Sequence, residues 1–395
     1  MWGIFFVMAF SVVAVEPVRV EVMAGEWERR DSIVEIHLPG LSGRVIGLQV
    51  AGVVFPMQVD HSGVGRFVVP YLSKGKSVTY EVVAAPKVAK AVVASKVRKK
   101  IRFQQGERTI LEYQAEPGTP PRADIKEIYQ RGGYLHPLFT PGGRQVTEDY
   151  PLKHTHHHGI WFPWTKTEFE GRHPDFWNSA AGTAKIRFAG LERSWSGPVH
   201  AGLMARHEFV DLTSDKPKVV LKETWTVRVF ALQGKTRPRW VFDLESVQRC
   251  AGPEPLLMPQ YRYGGLGVRG HASWDHAPDN DARFLTANGV TDRKAGHATR
   301  ARWCHMGGKV DGQLAGVAIL CHPKNFRFPQ PMRIHPSEPF FNFAPQQWGA
   351  MAIRSGRPYV SRYRFVVADG PPDKAELDRL WQDYAQPPRA AAVRK

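Results

Sequence analysis

The feature that most constrains this chain is its rhythm. Short runs of Val, Ile, Phe, Tyr and Trp recur from residue 18 to residue 368, with Gly, Pro, Asn or Asp between them. That spacing is what antiparallel strands joined by tight turns require. Val18, Val20 and Val22 alternate with Arg19 and Glu21, a period of two. With the runs at 33–38, 45–54, 67–71 and 78–83 they predict a small β-sandwich. Runs at 185–188, 205–212, 219–230, 239–247, 316–321 and 359–367 predict a larger one. Helical periodicity emerges only at 373–384, where Ala375, Leu377, Leu380, Trp381 and Tyr384 are spaced for one helix face between two Pro-Pro pairs. Residues 86–100 fit a strand, a helix or a linker, and a domain boundary is expected at the Pro/Gly-rich stretch 116–121. The expected architecture is all-β: a small N-terminal β-sandwich domain over 16–118, a large antiparallel β-sandwich over 122–370, and a C-terminal helix and tail over 371–395.

A hydrophobic fraction of 43% over 395 residues excludes wholesale disorder and leaves ample chain for a core without staples. Three cysteines, with no CxxC and no zinc spacing, argue against a disulfide framework; at most one bridge can form. Residues 1–15 are apolar and too short to span a bilayer comfortably. They resemble the core of a secretory signal, with cleavage expected after Ala14, although no Lys or Arg precedes the run. Export to the periplasm or beyond is therefore expected, a buried first strand being the alternative. No later segment is apolar enough to cross a membrane. The formal net charge of +17 favours anionic partners. The basic residues are scattered, and the densest run, Lys96 to Arg102, has no interleaved aromatics, so nucleic acid is not an expected partner.

Chemistry concentrates in one region. Six of the sixteen histidines lie between His136 and His173, four of them in His154-Thr155-His156-His157-His158. Extended, this segment turns His154, His156 and His158 to one face. Three imidazoles there suit a divalent metal, or a general acid and base near neutral pH. Trp161, Trp177 and Asn178 follow, offering aromatic faces and directional hydrogen bonds of the kind a pyranose needs. Tyr134 and His136 lie upstream on a Gly-hinged strand, and Arg262 and Tyr263 downstream on a Gly-rich segment whose spacing is not that of a phosphate loop. His322, Asn325 and Arg327, then Asn342, put further polar groups on loops, where binding residues concentrate.

In their order along the chain, the segments 133–138, 154–161, 175–178, 262–267 and 322–323 resemble the DUF6807 family, with Thr155 where that pattern has Pro. The resemblance covers about 125–370. It implies a bacterial, often exported protein, carries no established activity, and suggests by analogy a galactose-mutarotase-like supersandwich. Such sequences are often labelled methane oxygenase PmoA, yet a membrane oxygenase subunit needs spanning helices that this chain lacks.

The function expected from these residues is that of an exported carbohydrate-active protein: a hydrolase, lyase or epimerase acting on a glycoside or acidic sugar. His156 or His158 would serve as acid or base, with His136 beside them and Asp175 or Glu338 as carboxylate partner. Tyr134, Trp161, Trp177, Asn178, Arg262, Tyr263, His322, Asn325, Arg327 and Asn342 would bind substrate. The alternatives are a metal-dependent oxygenase or hydrolase holding a divalent ion on His154, His156 and His158, and a non-catalytic glycan-binding protein. Substrate, cofactor and oligomeric state are not fixed by these residues.

Overall fold

A computed structural model describes residues 18–87, 91–232, 237–275 and 282–394. The N-terminal apolar run lies outside them. The chain divides into two compact units, residues 1–87 with 388–395, and residues 88–387.

The small unit is one antiparallel sheet in the order Arg29–His37, Val64–Leu72, Val53–Val59, Val45–Val50, Ser77–Val83, Val18–Met23, Arg389–Arg394. The sheet coils until its first and last strands approach each other. Val20, Val22, Val34, Leu48, Phe67 and Val69 fill the space it encloses. The run predicted at 45–54 is two strands, because Ala51 and Gly52 both adopt positive φ (49° and 77°) and turn the chain back on itself.

The large unit is built around two eight-stranded sheets, with a two-stranded sheet of Leu256–Met258 and Met351–Ile353 beside them, and every strand pair is antiparallel. One has long strands, in the order Ala184–Trp195, His200–Asp211, Lys218–Phe230, Arg239–Cys250, Tyr359–Asp369, Gln313–Cys321, Trp303–Val310, Arg283–Thr286. Period two decides its faces: Leu221, Glu223, Trp225, Val227 and Val229 are buried on one side of Lys218–Phe230. The other sheet has shorter strands: Met332–Ile334, Phe340–Phe343, Gly267–Arg269, Ile160–Trp161, Tyr134–Leu138, Arg108–Gln114, Lys100–Gln105, Val93–Val97. A buried polar link ties the two sheets together, the Tyr113 hydroxyl meeting His207 Nε2 at 2.7 Å, and Trp164 of the segment after Ile160–Trp161 donates from Nε1 to Gln248 of the long-stranded sheet at 2.7 Å.

Two boundaries differ from expectation. Strands at 93–114 belong to the large unit, because Tyr113 and Leu111 pair with Leu135 and Leu138 in one sheet. The Pro/Gly-rich stretch is a loop between neighbouring strands, so the break falls near residue 87 and not at 118. At the other end, the helix Lys374–Ala385 forms as predicted, with the Asp373 carboxylate accepting from the Glu376 N–H. After Pro387-Pro388, however, the chain becomes the last strand of the small unit. All three cysteines are free.

Candidate functional site

The histidine-rich segment is a folded-back loop and not an extended strand. His157 N–H donates to the His154 carbonyl (2.7 Å) and Tyr150 N–H to the His157 carbonyl (3.1 Å). The loop lies directly on the strand Tyr134–Leu138; a side chain at Gly159 would meet the Leu135 carbonyl. The alternation expected for the imidazoles is therefore lost, and each goes to different surroundings.

His158 is buried. Its Nδ1 lies 2.6 Å from Asp149 Oδ1, and the other Asp149 oxygen accepts from the Tyr134 hydroxyl at 2.7 Å. Tyr134 and Tyr150 flank the ring, with centroids 4.5 and 4.8 Å away. Burial pushes the His158 imidazole below its ordinary pKa, and Asp149 only partly offsets this. Burial raises the Asp149 carboxyl too, but His158, His136 and Tyr134 outweigh it and hold it below the ordinary value. The pair is thus a neutral imidazole donating from Nδ1 to a carboxylate, with Nε2 left as a proton acceptor.

His158 and His156 line a cavity of about 250 Å³ together with Arg131, Gln130, Phe176 and Trp177. Burial, then His154 and His158, lower the half-buried His156 to about 4, so it is neutral at pH 7. Arg131 donates only to the Gly132 and Gly133 carbonyls (3.1 and 3.5 Å), and no carboxylate pairs with it among the described residues. Gly132 is required beside it, because a Cβ there would collide with the Ala115 carbonyl. His136 opens onto a second cavity, of about 540 Å³, lined also by Tyr134, Glu148, Asp149 and Tyr150. Its Nδ1 meets Thr147 Oγ1 at 3.0 Å, and burial lowers it to about 4.

His154 and His157 belong elsewhere. The His157 ring is sealed against His154, Phe340 and Trp161, at centroid distances of 4.8, 4.8 and 5.0 Å. His154 Nδ1 lies 2.8 Å from Glu338 Oε2, and the buried Arg269 contacts the same oxygen at 2.5 Å. Among the described residues, the group of donors close enough for a metal is His154, His335 and Glu338, within 4.8 Å of one another. His154, His156 and His158 form no such group. The donors fit an ion poorly. His335 Nδ1 accepts the Glu338 N–H at 3.0 Å, which puts the proton on Nε2, and a guanidinium already neutralises Glu338.

Several residues predicted to touch substrate instead hold backbone. Asp175 accepts from the Trp177 and Asn178 N–H groups and from the Thr165 hydroxyl and Asn178 amide, which saturates its carboxylate. Asn342 clamps Gly264 and Leu266; Asn325 pairs with both backbone groups of Arg362. Arg327 donates to the carbonyls of Pro345, Gly349 and Ala350. His322 caps its own turn at Lys324 and packs on Tyr384 of the C-terminal helix. Trp161 is sealed in the interior, and Trp177, although buried, lines the cavity. Arg262 is exposed over Tyr261 and Tyr263, while Tyr263 shares a hydrogen bond with Asn178. Neither cavity described above brings His154, Asp175, Arg262 or His322 to His156 and His158. Sequence reasoning missed Asp149 and Arg131. Asp149 lies nine residues before its partner with no motif spacing to mark it. For Arg131 the signal was a cation directly before the Gly132-Gly133 hinge.

A family model described as "Family of unknown function (DUF6807)" matches residues 100–382. No curated protein matches the chain. No helix among the described residues is long and apolar enough to cross a membrane.

Proposed function

The chain belongs to the DUF6807 family, and we propose that its large unit binds an acidic sugar in the 250 Å³ cavity and abstracts the proton next to the sugar's carboxylate. The observation that carries this reading is a guanidinium with no carboxylate in salt-bridge contact among the described residues, Arg131, lining the same cavity as an imidazole backed by Asp149. A uronate carboxylate ion-paired to Arg131 stabilises the negative charge that develops when the adjacent C–H bond breaks. His158 Nε2 takes the proton, and Asp149 fixes the ring in the required tautomer. The electron pair enters the carboxylate as an enediolate. Return of a proton to the opposite face gives an epimer; loss of the β-oxygen substituent, protonated by water, gives an unsaturated sugar.

Epimerase or lyase chemistry is favoured over hydrolysis. Glycoside hydrolysis uses a pair of available carboxylates, and Asp175 and Glu338 are both consumed by structural bonds. The apolar run at residues 1–15 supports an exported protein that meets such sugars outside the cytoplasm.

The test is solvent deuterium exchange at C5 of a panel of uronates, followed by NMR. Exchange by the wild type, with a loss of about 10²–10⁴-fold in His158→Ala, is expected. Undiminished exchange in that variant overturns the assignment of the base. Saturable binding without exchange across the panel makes the protein a sugar binder instead.

A further inference from the structure

A cavity of about 860 Å³ shares no lining residue with the His158 cavity. Its walls carry Arg283, Lys294, His297 and Arg333, contributed by the strand Arg283–Thr286, the short helix Arg293–Gly296 with its C-cap, and the strand Met332–Ile334. None of these four has a carboxylate partner among the described residues, although Arg172, Arg362, Arg364 and Arg379 of the same unit do. The acid on the cavity wall, Asp292, caps the Ala295 N–H at 2.7 Å. Arg333 Nη1 approaches His297 Nε2 at 3.5 Å, and His297 Nδ1 is buried without a partner. Arg333 thus donates to His297, and no carboxylate among the described residues neutralises its guanidinium. Burial, then Arg333 and the nearby Arg262, lower the His297 pKa, as expected where cation repulsion is unrelieved.

We infer that this cavity is a second binding site, for an acidic oligosaccharide chain carrying several carboxylate or sulfate groups. The volume lies toward the upper end for small-ligand sites, and the cations are spread over several elements of the wall, an arrangement that suits a ligand with several anionic groups. A nucleic acid strand fits less well. It needs aromatic faces for its bases, and the aromatic side chain on the wall, Phe284, is buried with its ring 4.9 Å from the Arg293 guanidinium. The site is also tied to the histidine loop. Arg293 Nη1 donates to the carbonyls of His335 (2.9 Å) and Glu338 (2.7 Å), and Glu338 in turn holds His154.

The test is titration calorimetry on the full chain at low salt with four probes: inorganic sulfate, a uronate hexasaccharide, a sulfated hexasaccharide and a single-stranded RNA. At least one hexasaccharide is expected to bind more tightly than sulfate and RNA, and the pair separates carboxylate from sulfate recognition. Arg283→Gln/Lys294→Gln/Arg333→Gln is expected to weaken it by about tenfold or more. The same variant should keep its melting temperature and the wild-type proton exchange on a monosaccharide uronate. Hexasaccharide affinity unchanged in the variant, or RNA as the tightest ligand, overturns the inference. Because the readout is binding, absence of proton exchange in the wild type would sink the His158 chemistry and leave this site standing.

Discussion

At His158 the chemistry depends on which nitrogen carries the proton. Asp149 accepts from Nδ1, so Nε2 is the basic atom. Replacing Asp149 by Asn removes the charge and lets the ring adopt the other tautomer. A loss of about 10²-fold or more in the exchange rate is expected, with KM little changed. Tyr134→Phe removes one hydrogen bond to the same carboxylate and should cost less; steady-state kinetics of the two variants check the order. Burial also makes the histidines report on pH. His136 and His156 titrate near 4 in the folded chain and near 6.5 when unfolded. The unfolded chain therefore gains protons first as pH falls. Stability is complete above pH 6.5 and declines between 6.5 and 4, by on the order of 3 kcal/mol for each group. Denaturant midpoints at pH 7.5 and 4.5 measure this; a midpoint that rises on acidification contradicts it.

The elements explain why strands were legible and the site was not. Where one face of a long strand is buried, alternation is written into the sequence, and Lys218–Phe230 and Arg239–Cys250 were read at nearly their true length. The two- and three-residue strands Ile160–Trp161 and Gly267–Arg269 carry no period and are held by neighbours instead. Irregular segments between them expose backbone N–H and carbonyl groups that must be satisfied when buried. Asp175, Asn325, Arg327 and Asn342 satisfy them, and polar residues on loops look the same in sequence whether they hold a ligand or a carbonyl. Glu223 is a comparable case inside a strand. Period two turns it inward, where cross-strand His207 Nδ1 at 2.8 Å and the Ser246 and Gln248 side chains complete its bonds. Removing His207 leaves a buried carboxylate without its principal partner. His207→Ala is expected to cost about 3–5 kcal/mol in equilibrium unfolding, whereas Asp373→Ala, which removes one exposed helix cap, should cost about 1 kcal/mol.

For the whole molecule, the first and last described strands pair in the small unit. Val18–Met23 pairs on one side with Ser77–Val83 and on the other with Arg389–Arg394, in the register Val20 opposite Ala392. That arrangement was not legible, because Pro387-Pro388 marks the end of a helix and carries no signal for a strand beyond it. The closing strand is small and alanine-rich (Arg-Ala-Ala-Ala-Val-Arg), which in sequence looks like a tail. Its contribution is backbone pairing more than side-chain burial. Ending the chain at Pro387 therefore leaves the Val18–Met23 edge unpaired while keeping every strand of the large unit. The expected result in calorimetry is a selective change. The transition of the small unit should fall by roughly 10 °C, as a loss of about 2 kcal/mol implies for a domain of that size. The transition of the large unit and its sugar binding should stay where they were. A drop in both transitions would mean that the terminal strand supports the large unit as well, and the two could not then be treated as independently stable.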